Sequence, residues 1–347
     1  MRCVTIREHG SFDVLRFEER PLPLPGPGEA RLAVKAVGLN HLDTWVRRGI
    51  PGVKFPLPII PGCDAAGVID AVGPGVTSLA SGDAVLLAPG IGCGTCERCA
   101  AGADHLCRHY GIFGESRDGA CADFLVAPAR NFLRKPTALS FPEAASIALT
   151  FLTAWHMVVE RARLQPHETI LIHAAGSGVS VAAIQVARLI GARILVTARG
   201  AEKLARARTL GAHETIDYGS KPFGEEVRRI TAKRGVDVVI DHVGQETFDA
   251  SLRCLAKGGR LVTCGGTSGP ELKTDVRLVF FKSLSILGST MGSLGELHTV
   301  LSHFERGTFQ PVVDTVLPMA EVAAGHRLLE ERKVAGKVVL ENRPAPA

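Results

Sequence analysis

From about residue 151 the chain alternates short apolar strands with helices, and this alternation restricts the fold more than any other feature. Residues 169–173 (TILIH) form a buried-type strand that runs into the small-residue turn Ala174-Ala175-Gly176-Ser177-Gly178-Val179-Ser180. A helix follows, with Val181, Ile184 and Ala187 on one side and Gly191 as its stop. The spacing then predicts a strand at 193–197 (RILVT), a helix at 202–210, a strand at 236–241 (VDVVID), a helix near 247–256 and a strand at 260–264. Strands and helices of these lengths in alternation imply parallel βαβ units, with a sheet covered on both faces.

Residues 1 to about 150 read differently. Pro21, Pro23, Pro25 and Pro27 with Gly26 and Gly28 break regular structure, and strands are expected at 30–37, 67–72 and 84–87. The 347 residues suffice for two domains, and 46% hydrophobic with 22% charged residues is ordinary for an α/β protein. The formal charge of +5 is scattered. Pairs such as Arg47-Arg48 and Arg228-Arg229 are too short for a nucleic-acid surface. The N-terminus (MRCVTIREHG) lacks the apolar core of a signal peptide, and no apolar run is long enough to span a membrane. A cytoplasmic protein without membrane or nucleic-acid partners is the expectation.

Within the first region lies GCGTCERCAAGADHLC, which places Cys93, Cys96, Cys99 and Cys107 in a C-x2-C-x2-C-x7-C spacing. Four thiolates this close suit one tetrahedral zinc ion, and with every position filled by sulfur the metal is structural. The competing reading is a disulfide cluster or a set of buried cysteines. A metal of this kind supplies roughly 10–16 kcal/mol to folding in small peptides.

The order of these parts resembles the medium-chain dehydrogenase/reductase family over essentially the whole chain. The resemblance is carried by the opening GSFDVLRFEERPLPLPGPGEARLAVKAVGLNHLD, the cysteine run 93–107, the turn at 174–180 and the ending HRLLEERKVAGKVVL. It implies a GroES-like β-barrel catalytic domain from residues 1–150 and 287–347. An inserted Rossmann domain, a doubly wound parallel sheet, spans 151–286, and the family's active site lies in the cleft between the two. It also implies a nicotinamide dinucleotide, contacted by Thr153 and by Ala175, Gly176, Ser177, Gly178 and Val179. The turn retains Gly178, with Ala175, Ser177 and Ser180 small enough to stand in for the usual glycines. Backbone amides and the positive end of the next helix then face the pyrophosphate.

NAD-specific members carry an acidic residue at the end of the second Rossmann strand. Matching through KLARARTLGA places Ala198 there, followed by Arg199, with Lys203 one turn away. Without the carboxylate, and with a guanidinium beside it, a 2′-phosphate is favoured. NADPH is the expected cofactor, with NADH as the alternative.

The alcohol-oxidising branch binds a second zinc through Cys-His-Thr-Asp, Gly-His-Glu and a further cysteine. Here these positions read Asn40-His41-Leu42-Asp43, Gly62-Cys63-Asp64 and Leu149. The pattern is similar to the quinone oxidoreductase branch, which works without that metal but commonly lacks the cysteine lobe as well. Hydride transfer to a quinone or an activated alkene follows, with Asn40 donating to the oxyanion, His41 contacting the cofactor phosphate or supplying a proton, and Tyr110 lining the cleft. The rivals are an alcohol dehydrogenase with an improvised zinc site (Cys63, Asp64, His41) and a non-catalytic NADPH-binding member. A homodimer or homotetramer joined through the sheet edge at 285–289 (SILGS) is also expected.

Overall fold

A computed structural model describes residues 1–342, so the short low-complexity tail at 344–347 lies outside the described residues. The chain resolves into two compact units, Met1–Leu149 together with the chain from Ser293 onward, and Thr150–Gly292.

The first unit opens with the paired strands β1 (Arg2–Thr5) and β2 (Arg16–Glu19). The alternating burial of β3 (Glu29–Gly38) makes it the centre of this unit's sheet. The helix α1 (His41–Arg48) follows directly, and β4 (Asp64–Val72), β5 (Ala84–Leu87) and the short β6 (Gly90–Ile91) come next. The cysteine segment contains the short helix α2 (Glu97–Ala100) before β7 (Gly111–Ile112) pairs with β6. The strands β8 (Phe124–Pro128) and β9 (Phe132–Arg134) and the helices α3 (Phe141–Ala144) and α4 (Ala148–Trp155) complete this stretch, and the division between units falls inside α4.

The second unit bears out the alternation. The strands are β10 (Thr169–Ile172), β11 (Arg193–Ala198), β12 (Glu214–Asp217), β13 (Val236–Asp241), β14 (Leu255–Thr263) and β15 (Ser285–Gly288). Between them run α5 (Gly178–Ile190), α6 (Ala201–Leu210), α7 (Phe223–Ile230), α8 (Phe248–Cys254) and α9 (Val276–Phe281). All six strands are parallel, in the order β12-β11-β10-β13-β14-β15. Two boundaries differ from the sequence reading. The helix expected near 247–256 stops at Cys254, and β14 begins at Leu255 because its backbone pairs with Val236 across a register shift. The helix α5 starts at Gly178, so Val179 and Ser180 already belong to its first turn.

The chain returns through α10 (Leu294–Glu305), β16 (Val313–Pro318), α11 (Val322–Glu330) and β17 (Lys337–Glu341). β17 pairs antiparallel with β3 through Gly38, Val37 and Ala36, and parallel with β16. The resulting seven-stranded sheet runs β16-β17-β3-β4-β5-β9, with β8 also on β3. Residues 287–292 stay with the parallel sheet, where Thr263 pairs with Gly288. Among the described residues, no helix is long and apolar enough to cross a membrane.

Candidate functional site

The sulfurs of Cys93, Cys96, Cys99 and Cys107 lie within 4.8 Å of one another, the one such group of potential metal ligands among the described residues. The loop turns its amides toward them: Cys96 N–H donates to Cys93 Sγ (3.4 Å), Gly94 N–H to Cys99 Sγ (3.3 Å) and Cys93 N–H to Cys107 Sγ (3.4 Å). Amides donating to sulfur favour thiolates, and four thiolates crowded together need a cation among them. The donor set fits zinc.

At the end of β10, Ala174 adopts φ +52°, a left-handed conformation unusual for a residue with a side chain. The turn then enters α5, where Ser177 is the N-cap but makes no side-chain cap bond. The positive end of a helix of 13 residues is thus left without its own side-chain acceptor, which suits a phosphate. Ser180 shows why the third glycine is dispensable. Its hydroxyl donates to the His173 carbonyl (2.6 Å) and lies 2.8 Å from His242 Nε2, so the side chain fastens α5 to the strand ends instead of obstructing them. His173 bridges Thr197 (2.9 Å) and Ser251 (2.8 Å), and burial drives its pKa down to about 4.

Ala198 closes β11, paired with Asp217 of β12. Tyr218 N–H donates to the Ala198 carbonyl (3.2 Å), and the exposed Arg199 guanidinium lies 5.5 Å from the Tyr218 ring centroid. Tyr218 was not legible in the sequence as a partner of Arg199, because 18 intervening residues and an entire helix separate them. Lys203 lies in the first turn of α6. Thr153 is buried in α4, its hydroxyl 3.9 Å from Met291 Sδ.

The positions of the family's second zinc form a closed network in the first unit. Asn40 Nδ2 donates to Gly38 O (3.2 Å), Cys63 Sγ (3.4 Å) and Asp64 Oδ2 (3.0 Å). Its Oδ1 accepts from Lys337 Nζ at 2.6 Å, and Lys337 also pairs with Asp64 at 3.0 Å. The other oxygen of Asp64 accepts Leu149 N–H (2.8 Å). Asp64 is fully buried and the Lys337 side chain is 6% exposed. This corrects the role expected of Asn40, whose amide protons are spent on protein acceptors and leave none for an oxyanion. Cys63, Asp64 and His41 do not form a metal-ligand cluster. Asp43 accepts from Asn40 N–H (2.7 Å) and Gly62 N–H (2.9 Å), while burial pushes its pKa up to about 6. Burial raises the Cys63 thiol as well, which keeps it protonated. His41 opens α1. Tyr110 does not present its hydroxyl: that oxygen is buried without a hydrogen-bond partner, against Gly90, where an added Cβ would come within 1.9 Å of it.

With this geometry established, likeness to known proteins becomes decisive. Residues 26–137 match the alcohol dehydrogenase GroES-like domain family, and residues 178–306 match the zinc-binding dehydrogenase family. A 2-haloacrylate reductase from Burkholderia sp. is 32% identical over 97% of this chain and 98% of its own. The chain belongs to the medium-chain dehydrogenase/reductase superfamily. A quinone oxidoreductase from Pseudomonas aeruginosa is 31% identical over 96% of this chain and 97% of its own. A solved structure described as an NAD-dependent alcohol dehydrogenase is 50% identical, with a TM-score of 0.95, covering 99% of this chain and 100% of that one. This medium-chain dehydrogenase/reductase is therefore an oxidoreductase. Its least legible site residue is Lys337, which sits 273 positions from the Asp64 it neutralises. The available signal was a charged residue opening the apolar run KVVL.

Proposed function

We propose that the enzyme transfers hydride from NADPH to an acceptor that is already electrophilic, a quinone or an alkene conjugated to a carbonyl. The observation that carries this reading is the network of Asn40, Cys63, Asp64 and Lys337. The side chains that would hold a Lewis-acidic metal are bonded to one another, and a lysine ammonium supplies the positive charge. The names of the Burkholderia and Pseudomonas relatives agree with it.

When bound, the nicotinamide supplies the hydride. The chain's part is to grip and orient it: the turn Ala175-Gly176-Ser177-Gly178-Val179 takes the pyrophosphate, Arg199 backed by Tyr218 takes the 2′-phosphate, and Lys203 adds a second positive charge. Thr153 and His41 are assigned to cofactor contact, and His41 also to proton supply. Asn40 is a positioning residue that holds the Lys337 ammonium in place. Cys93, Cys96, Cys99 and Cys107 would hold one structural zinc with no coordination position open to substrate. Nine cysteines without a disulfide fit a reducing, cytoplasmic setting.

A second reading, an NADH-using alcohol dehydrogenase, is favoured by the 50% identical structure's description. Metal quantification with an acceptor screen separates the two. One zinc per chain and turnover of quinones or enones supports the first, whereas two zincs and alcohol oxidation supports the second. A protein that binds NADPH and turns over nothing would be a non-catalytic member. Arg199→Ala should weaken NADPH by about tenfold or more and leave NADH nearly unchanged, the loss of a charge-assisted contact. Equal loss for both cofactors would count against the phosphate contact.

We also assign a homo-oligomer, through the edge of the parallel sheet. β15 ends the strand order, and Ile286 on it and Val276, Phe280 and Phe281 on α9 are 44%, 68%, 58% and 72% exposed. An apolar edge of this kind calls for a partner, and a second copy offers the same edge.

A further inference from the structure

Ser180 and His242 together define a hydrogen-bond acceptor that no motif in the sequence announces. A hydroxyl has one proton. The proton of Ser180 goes to the His173 carbonyl at 2.6 Å, because a carbonyl can only accept. The contact of 2.8 Å between Ser180 Oγ and His242 Nε2 therefore needs its proton from the imidazole. This fixes the tautomer: Nε2 carries the hydrogen and Nδ1 keeps a lone pair. Asp241 does not compete for the ring. Its carboxylate is taken by Val243 N–H (2.9 Å), Gly244 N–H (3.0 Å), Thr247 Oγ1 (2.7 Å) and Ser251 Oγ (3.1 Å). Burial lowers the His242 pKa, so the ring stays neutral near pH 7 and Nδ1 stays an acceptor.

The sheet order says what this acceptor meets. Successive strands leave β10 on one side toward β11 and β12, and on the other toward β13, β14 and β15. In open parallel sheets ligands lie outside the carboxyl ends at such a reversal, one half of a dinucleotide over each side. Ile172 pairs with Ile240, and His242 is the first residue beyond the end of β13. Arg199 follows β11, which puts the adenosine half on that side and the other half over β13.

We propose that His242, its tautomer set by Ser180, accepts a hydrogen bond through Nδ1 from a sugar hydroxyl on the nicotinamide half of the dinucleotide. This rests on the cofactor reading above and names a contact that reading does not contain.

The test is a binding titration, independent of turnover, of NADPH and of the adenosine-half fragments ADP and 2′,5′-ADP. The proteins are wild type, His242→Gln, His242→Asn and Ser180→Ala. Glutamine places its amide near Nε2 and loses the Nδ1 acceptor, while asparagine can place its carbonyl oxygen near Nδ1. His242→Gln should weaken NADPH by about five- to tenfold, one hydrogen bond's worth. His242→Asn should recover to within about twofold of wild type, and Ser180→Ala, which frees the tautomer, should lose about two- to threefold. The fragments should bind wild type and both His242 variants alike. Unchanged NADPH affinity in His242→Gln would overturn the assignment, as would equal weakening of NADPH and the fragments, which would indicate a distorted turn. A wild-type protein that binds neither NADPH nor the fragments would instead remove the cofactor reading, and this contact with it.

Discussion

A buried ammonium beside a buried carboxylate is stable only as a pair. Lys337→Met would leave the fully buried Asp64 without the Lys337 counter-charge, which should cost about 3–5 kcal/mol, read as a lower midpoint in chemical denaturation. The double change Lys337→Met with Asp64→Leu should recover part of that loss. Asp43 predicts a pH effect of opposite sign to the usual carboxylate. Its pKa rises from 3.8 to about 6 on folding, so its contribution to stability is complete below 3.8 and is lost as pH climbs through about 6. Asp43→Asn should flatten the stability profile across that window, and an unchanged slope would refute the assignment. At this scale the sequence was only partly readable. The replacement of metal ligands at Asn40, Cys63 and Leu149 was visible locally, whereas Lys337 and Tyr218 gain meaning only through pairings between strands far apart in the chain.

Among the elements, the cysteine lobe is the clearest case of local information sufficing. Its four sulfurs come from one short segment, so spacing alone brought them together, with Cys99 carried on the brief helix α2. Cys99→Ser should lower zinc content from about one per chain toward zero and expose the lobe to proteolysis, since the remaining three ligands leave an open coordination position. Retention of full zinc content would show that the metal sits elsewhere. The turn before α5 was legible as a strand-to-helix turn despite its missing glycines. The start of β14 was not, because the run after Cys254 has no local signal for the change from helix to strand, which is dictated by pairing with Val236.

Over the whole molecule, buried imidazoles set the response to acid. His173, with its pKa lowered to about 4, and His326, lowered to about 3 by burial, each lie well below an unfolded value near 6.5. Unfolding takes up protons at both, so their contribution is complete above 6.5 and drains away as pH falls toward 4. Two histidines outweigh the single Asp43, and the melting temperature should fall on acidification from pH 7 to 4.5, with His326→Leu reducing the drop. The proposed homo-oligomer is checked by sedimentation: Phe280→Glu with Phe281→Glu should shift the protein toward monomer, and an unchanged sedimentation coefficient would count against the exposed edge as the contact. The parallel sheet was foreseen from its periodicity. The other unit was foreseen through the family resemblance and not from periodicity, since its sheet is assembled from strands at both ends of the sequence.

That assembly has a temporal consequence during synthesis. The ribosome delivers β3 and β4 at least 265 residues before β17, which slots between β3 and β16 and brings the Lys337 countercharge for Asp64. At elongation rates of roughly 5–20 residues per second, the nascent amino-terminal half waits many seconds with an incomplete sheet. The parallel-sheet unit, contiguous in the chain, is free to fold during that interval, so a nascent chain halted just short of Lys337 should already contain one protease-resistant body and one that is not.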